Sequence, residues 1–350
     1  MKLKTFRTTN RSVKLDRPIG DSQVYYDAFS LEFLELITDD GLVGLGFQGE
    51  RDGFSTGEGS RHFEVVEWKT LEGTHPAVHL NKILRLRGGN RHFAEFSVMT
   101  DIALWDLVSQ AANMPLWRYL GGASPTVPVY ASTLEFNLPD DEAVALIQQF
   151  RSKGFVNFKF KAGHKDLQRD LERLRQFQSL LERNSYFGVD ANEAWCPADA
   201  LKAISSYQQS GLKVAWIEDP CLRDDFQGLA KLSAQSPIPI VTGEYLDLNG
   251  KRQLLQSQAA GYLNVGGSIS ETRHCAQLAA AFGVPVHVGN SCFDINLNLA
   301  ASLPEVKYAE FSDLALNRLL TSPYRSENGF IILNMTPGHG LRLRDWSNEA

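Results

Sequence analysis

The stretch FVNFKFKAG, Phe155 to Gly163, sets two lysines, Lys159 and Lys161, two residues apart. Side chains on a strand repeat every two residues, so the two ammonium groups share one face and Phe158 and Phe160 take the other. On an exposed edge such a pair is ordinary protection against aggregation; on an internal strand something anionic must answer it. Matching acids stand at Asp190, with Asn192 beside it in VDAN, at Glu218 and Asp219 in WIEDP, and at Glu244 in TGE. Taken singly, each of these acids reads as readily as a helix cap. Taken together, carboxylates that stay ionised in a cluster need a hard divalent cation, and Mg2+ is expected at Asp190, Glu218 and Glu244.

The chemistry these groups suit is abstraction of a proton α to a carboxylate. That carbon acid is very weak, so the enediolate needs fixed positive charge, which a Mg2+ on the substrate carboxylate supplies. Lys161 is the expected base. The neighbouring Lys159 ammonium and the metal are expected to lower its pKa toward working pH, while Lys159 stays charged and holds the anion.

Elements that could bring these residues together recur from Val127 onward. Strand candidates begin at Val127, Phe155, Tyr186, Val214, Ile238, Gly261, Val284 and Val306, alternating with amphipathic helices. The spacing is that of one βα unit, and eight units predict a (β/α)8 barrel, whose active sites lie at the C-terminal ends of the strands. An open dinucleotide-binding sheet is the alternative. It is disfavoured because GLVGLG lies inside a hairpin predicted over Leu31 to Gln48 and does not follow a strand into a helix. Residues 1–122 read as an α+β capping domain, 123–325 as the barrel, and 326–350 as a segment returning to the cap.

Composition is that of an ordinary globular chain: 350 residues, 43% hydrophobic and 22% charged. A net charge of −6 and the lack of a dense basic block count against a nucleic-acid partner. No apolar run reaches the roughly 18 residues of a membrane span, so a cytoplasmic, soluble protein without membrane contact is expected. Cys196, Cys221, Cys275 and Cys292 show no CxxC spacing and predict neither zinc site nor disulfide framework.

Together, SVMTDIALWDLVSQAANMPLWRYLGG, the KxK of FKFKAG, VDAN, WIEDP, TGE, GGSISE and the closing PGHGL resemble the mandelate racemase/muconate lactonizing branch of the enolase superfamily along essentially the whole chain. The resemblance implies a modified barrel with a capping domain, and one Mg2+ held by three carboxylates, which carries over to Asp190, Glu218 and Glu244. It also implies a small-molecule carboxylate substrate and a homo-oligomer. Glu244 on the fifth strand matches the racemase-like and acid-sugar dehydratase groups; cycloisomerases and dipeptide epimerases tend to use an Asp one step earlier. Loops at about Lys14 to Tyr26 and Gln48 to Ser60 would close over the substrate, with Asn192 and Asp294 among its contacts.

Two departures bear on mechanism. Counting back from Gly266 and Gly267 puts Gly261 where relatives hold an Asp or a second Lys, and Cys292 stands where the glucarate dehydratase motif has His. Two-base racemisation is disfavoured, and dehydration of an acid sugar with Lys161 as base is the leading expectation. His287 and Cys292 are candidates for the acid, against packing roles for both; Asp294 is a third candidate that also reads as a helix cap. An epimerase or cycloisomerase of the same fold, and a metal-binding barrel without catalysis, are the alternatives.

Overall fold

A computed structural model describes residues 1–49, 57–80, 96–312 and 316–344. The N-terminal part is a three-stranded antiparallel sheet, β1 (Leu3–Gly20), β2 (Tyr25–Thr38) and β3 (Val43–Gly49). The expected hairpin is β2 and β3, paired from Leu31↔Gly49 to Ile37↔Val43. Its glycines serve packing: a Cβ on Gly46 would stand 1.7 Å from Met99 O, and one on Gly44 2.4 Å from Ala103 O. The helix Val98–Ala111 therefore lies directly on the strand.

After a short strand β4 (Thr126–Pro128), eight parallel strands close a barrel: β5 (Tyr130–Ser132), β6 (Phe158–Lys161), β7 (Phe187–Asp190), β8 (Val214–Glu218), β9 (Ile240–Thr242), β10 (Tyr262–Val265), β11 (Val286–Val288) and β12 (Val306–Phe311). All eight match the strands expected from sequence. Outward residues bury against the helices, as where Phe160 meets Phe177 of the helix Leu167–Ser179 at 5.0 Å between ring centroids. Inside, Tyr130, Trp216, His287 and Tyr308 form an aromatic layer. Gly188 admits it, since a Cβ there would lie 2.0 Å from the Trp216 ring. The charged residues rest on this aromatic floor.

The helix-capping alternative for the strand-end acids does not hold in the two turns that follow Glu218 and Glu244. Asp225 and Asp247 cap those helices there, as Asp166 does after β6 and Ser268 after β10, each side chain accepting a backbone N–H. The helix after β7 starts at Pro197 with Cys196 at its cap, not Asp190.

The chain ends with β13 (Arg325–Glu327) and β14 (Phe330–Ile332), and β14 pairs with β4. It then crosses to the cap: His339 N donates to Asp106 Oδ1 at 2.9 Å and its Nε2 to Leu45 O at 2.8 Å. Phe293, from the loop after β11, packs on Phe33 and Phe47 of the cap. Among the described residues, no helix is long and apolar enough to cross a membrane.

Candidate active site

Lys159 and Lys161 both point into the barrel, as the period of the strand requires. Lys159 is buried and meets three acids: Glu218 at 3.0 Å, Glu310 at 2.9 Å and Asp190 at 3.4 Å. Lys161 stands nearer the mouth, its Nζ 2.7 Å from Asp190 Oδ2 and 2.6 Å from Asn192 Oδ1. Asn192 N donates in turn to Asp190 Oδ1 at 3.0 Å. The backbone turns sharply there: Asn192, Glu193 and Asp219 have φ of 44°, 63° and 35°, sparsely populated values for residues with a Cβ.

On the neighbouring strand ends, carboxylate oxygens of Glu218, Asp219 and Glu244 lie within 4.8 Å of one another. Asp190 joins this cluster from β7 through the lysines. Asp219, named beside Glu218 but not in the expected ligand set, is thus part of the acid group, and its Oδ1 accepts Gly243 N–H at 3.2 Å. Burial, with Glu244 beside it, pushes the Asp219 carboxyl up to about 7. Five carboxylates with Glu310 face two ammonium groups, an excess of hard oxygen donors that fits a divalent cation such as Mg2+.

Apart from the ion, the protein's own groups act on Lys161 in opposed directions. The Lys161 ammonium is raised above its ordinary value: burial and Lys159 act to lower it, but the paired carboxylate of Asp190 outweighs them. Lys159 is raised further by Glu218 and Glu310, against burial.

His287 is not at the rim. It is fully buried in the aromatic layer, its Nε2 hydrogen-bonded with Tyr130 OH, and burial followed by Lys159 drives its pKa down to about 3. A neutral, enclosed imidazole of this kind fits the packing alternative. Gly261 also differs in place from its expected role. It precedes β10 at the end of the barrel away from the site, its N–H donating to Ile240 O at 2.8 Å. At the site end of β10 stand Asn264 and Gly266.

A cavity of about 210 Å3 covers the cluster, lined by Lys159, Lys161, Asp190, Asn192, Asp219 and Glu244 from the barrel. Its roof is the β1–β2 hairpin tip, Ile19 to Tyr26, part of the expected closing loop, and Gln23 Nε2 donates to Asn192 O. Of the second loop, residues 50–56 lie outside the described residues. An adjoining cavity of about 410 Å3 shares Glu244, Tyr245 and Asn290 with the first and includes Cys292. Asp294 is buried and lines neither cavity.

Sequence reading missed Glu310, Asn264 and Asn290. Asn264 Nδ2 donates to Glu218 Oε1 at 2.9 Å, and Asn290 N to Glu310 Oε2 at 3.2 Å. Alternation within YLNV and VKYAEF would have turned Asn264 and Glu310 inward with Tyr262 and Tyr308.

The barrel, its cap and this acid cluster agree with the comparisons. The chain belongs to the enolase superfamily: residues 142–347 match the family described as enolase C-terminal domain-like. Within it, the chain is a member of the mandelate racemase/muconate lactonizing enzyme family. It is similar to a Mesorhizobium loti protein provisionally described as a mandelate racemase, 36% identical, TM-score 0.91, covering 99% of this chain and 93% of that one. A Streptomyces coelicolor racemase with bound magnesium is 25% identical, with TM-score 0.84 and 97% of both chains covered. The 3,6-anhydro-alpha-L-galactonate cycloisomerase of Streptomyces coelicolor is 28% identical over 90% of this chain and 89% of its own length. The L-talarate/galactarate dehydratase of Salmonella typhimurium is 29% identical over 70% of this chain and 62% of its own length. Lyases and isomerases are thus both represented among its relatives.

Proposed function

We propose that this protein is a Mg2+-dependent acid-sugar dehydratase in which Lys161 removes the proton α to the substrate carboxylate. The observation that carries the reading is an asymmetry across the barrel mouth. Lys161 faces the cavity from β6, while the opposite strand ends, of β10 and β11, present Asn264, Gly266, Asn290, Ser291 and Cys292. One face of the substrate meets an amine base, and the other meets amides, a hydroxyl and a thiol. That favours a one-base reaction over racemisation, which needs proton carriers on both faces.

Glu218, Asp219, Glu244 and Asp190 are the residues that would hold the ion, with Asp190, Glu218 and Glu244 as the preferred set. Bound there, Mg2+ would supply electrostatic stabilisation of the anionic substrate oxygens. Asn192 holds the Lys161 amine by its Oδ1, and Lys159 keeps a fixed positive charge beneath the carboxylate. The α C–H bond breaks to Lys161 Nζ, its electron pair passing into the enediolate. Collapse of that anion forms the C2–C3 double bond and breaks the C3–O bond. The lysine proton goes to the departing hydroxide on the same face, and the released enol becomes a 2-keto-3-deoxy acid. For a hydroxide leaving from the opposite face, Cys292 is the remaining sequence candidate for the donor, and Lys161 then releases the α-proton to solvent.

Cycloisomerisation is the second reading. It too runs with a single base, and the Streptomyces coelicolor relative has that activity in its name. The test is NMR of acid sugars incubated with the Mg2+-loaded protein in D2O, with Lys161→Ala as control. A 2-keto-3-deoxy product that the variant does not form is the expected result. A lactone or cyclic isomer, or deuterium exchange without elimination, would replace this reading.

A further inference from the structure

The larger cavity beside the cluster bears on which acid sugar fits, an inference that rests on the dehydratase reading for its substrate class. Asn264 Oδ1 is buried without a hydrogen-bond partner, while the Nδ2 of the same amide is committed to Glu218. Space beside that oxygen is kept by Gly289, whose Cβ would stand 2.8 Å from it. A buried acceptor left open costs free energy until a donor reaches it, and a sugar hydroxyl is such a donor.

Charge decides what the far end of the ligand can be. The cavity is lined by three carboxylates, Glu244, Asp247 and Glu271, and one ammonium, Lys251. Lys251 is buried and already donates to Gly243 O and Leu246 O. Arg223, at the first cavity, is held by both oxygens of Glu193 at 2.6 Å. Lys159 and Lys161 are matched by the acids around them. Every cation among the described lining residues therefore has its acceptors, and a second substrate carboxylate in the larger cavity would meet like charge.

We propose that the larger cavity takes the hydroxylated, uncharged chain of the substrate, so that the protein acts on monocarboxylic acid sugars of the aldonate type and discriminates against the dicarboxylic aldarates. Asn264 Oδ1 accepts a chain hydroxyl, and Glu271 is the carboxylate that repels a terminal acid.

The test is calorimetric titration of Mg2+-loaded Lys161→Ala protein at pH 8 with gluconate and galactonate, against glucarate and galactarate. The expected result is aldonate binding tighter by about 10-fold or more, the scale of one uncompensated charge contact near a protein surface. In the Lys161→Ala/Glu271→Gln protein that advantage should shrink several-fold with aldonate affinity retained. Equal or tighter aldarate binding, or no binding of either class, would overturn the proposal, and this first comparison needs no change in the larger cavity. Aldonate preference without keto-acid formation by the native protein would remove the dehydratase reading alone; keto-acid formation from aldarates in preference would remove this inference alone.

Discussion

Lys159 Nζ lies 2.9 Å from Glu310 Oε2, joining β6 to β12 across the intervening β5. The pair is dry, with both side chains almost wholly buried. Asn290 N–H and Tyr130 OH also donate to Glu310. This carboxylate is held well below its ordinary value: burial opposes, but Lys159 prevails. Glu310→Gln should therefore lower stability by about 3 kcal/mol, since it leaves a buried ammonium short of a partner. Urea unfolding of both proteins measures this; a loss under about 1 kcal/mol would mean Glu218 and Asp190 suffice for Lys159.

Lys161→Ala should lower turnover by about 100-fold or more, the contribution of a positioned acid or base. Its far-UV circular dichroism should be unchanged, because the side chain ends in the cavity. Retention of α-proton exchange in the variant would assign the base elsewhere.

Mg2+ at saturating concentration should raise the thermal midpoint, since an ion bound only by the native state stabilises it by about 2.7 kcal/mol at 100 times its Kd. Glu244→Gln should abolish most of that rise, and chelation should reverse it. An unchanged Mg2+ response in the variant would remove Glu244 from the ligand set.

Gln23→Ala removes a side-chain hydrogen bond from the hairpin tip to the turn after β7. The bond holds the roof of the cavity, so KM should rise about 5-fold, the worth of roughly 1 kcal/mol, with kcat little changed. Steady-state kinetics separates the two; a fall in kcat at constant KM would place Gln23 in the chemical step.

Asp101 supplies a pH signature. Buried in the helix Val98–Ala111, it accepts Ser270 N–H at 3.0 Å and Ser270 OH at 2.5 Å, and burial raises it from 3.8 to about 6. Between those values the native protein keeps a proton the unfolded chain has released. Stability contributed here is thus present below about pH 4 and is lost as pH rises through about 6, by up to about 3 kcal/mol. Asp101→Asn should lack that slope. Urea midpoints of both proteins from pH 4 to 7 test it, and parallel curves would refute it.

The barrel was legible because parallel strands buried on both faces read as short apolar runs at βα spacing, and all eight fall within those runs. The lysine pair and the acids of β7 to β9 were legible because they end their strands. Position within a strand was the harder matter. His287 pairs in register with Asn264, below the rim residues Gly289 and Asn290, and Gly261 falls before its strand. Counting from a glycine pair does not reveal how many residues of strand lie between, so the empty acid position was sought at the wrong end. Glu310 was passed over because its partner Lys159 is 151 residues away, a proximity that only closure of the barrel creates.

The roof reaches the barrel through a main-chain oxygen. Gln23 binds the carbonyl of Asn192, which every amino acid at that position would offer. The hairpin tip and the residues beneath it are consequently free to drift apart in evolution: side chains below the hairpin can be exchanged without unseating it, and the tip can be rewritten without disturbing the lysines and acids below.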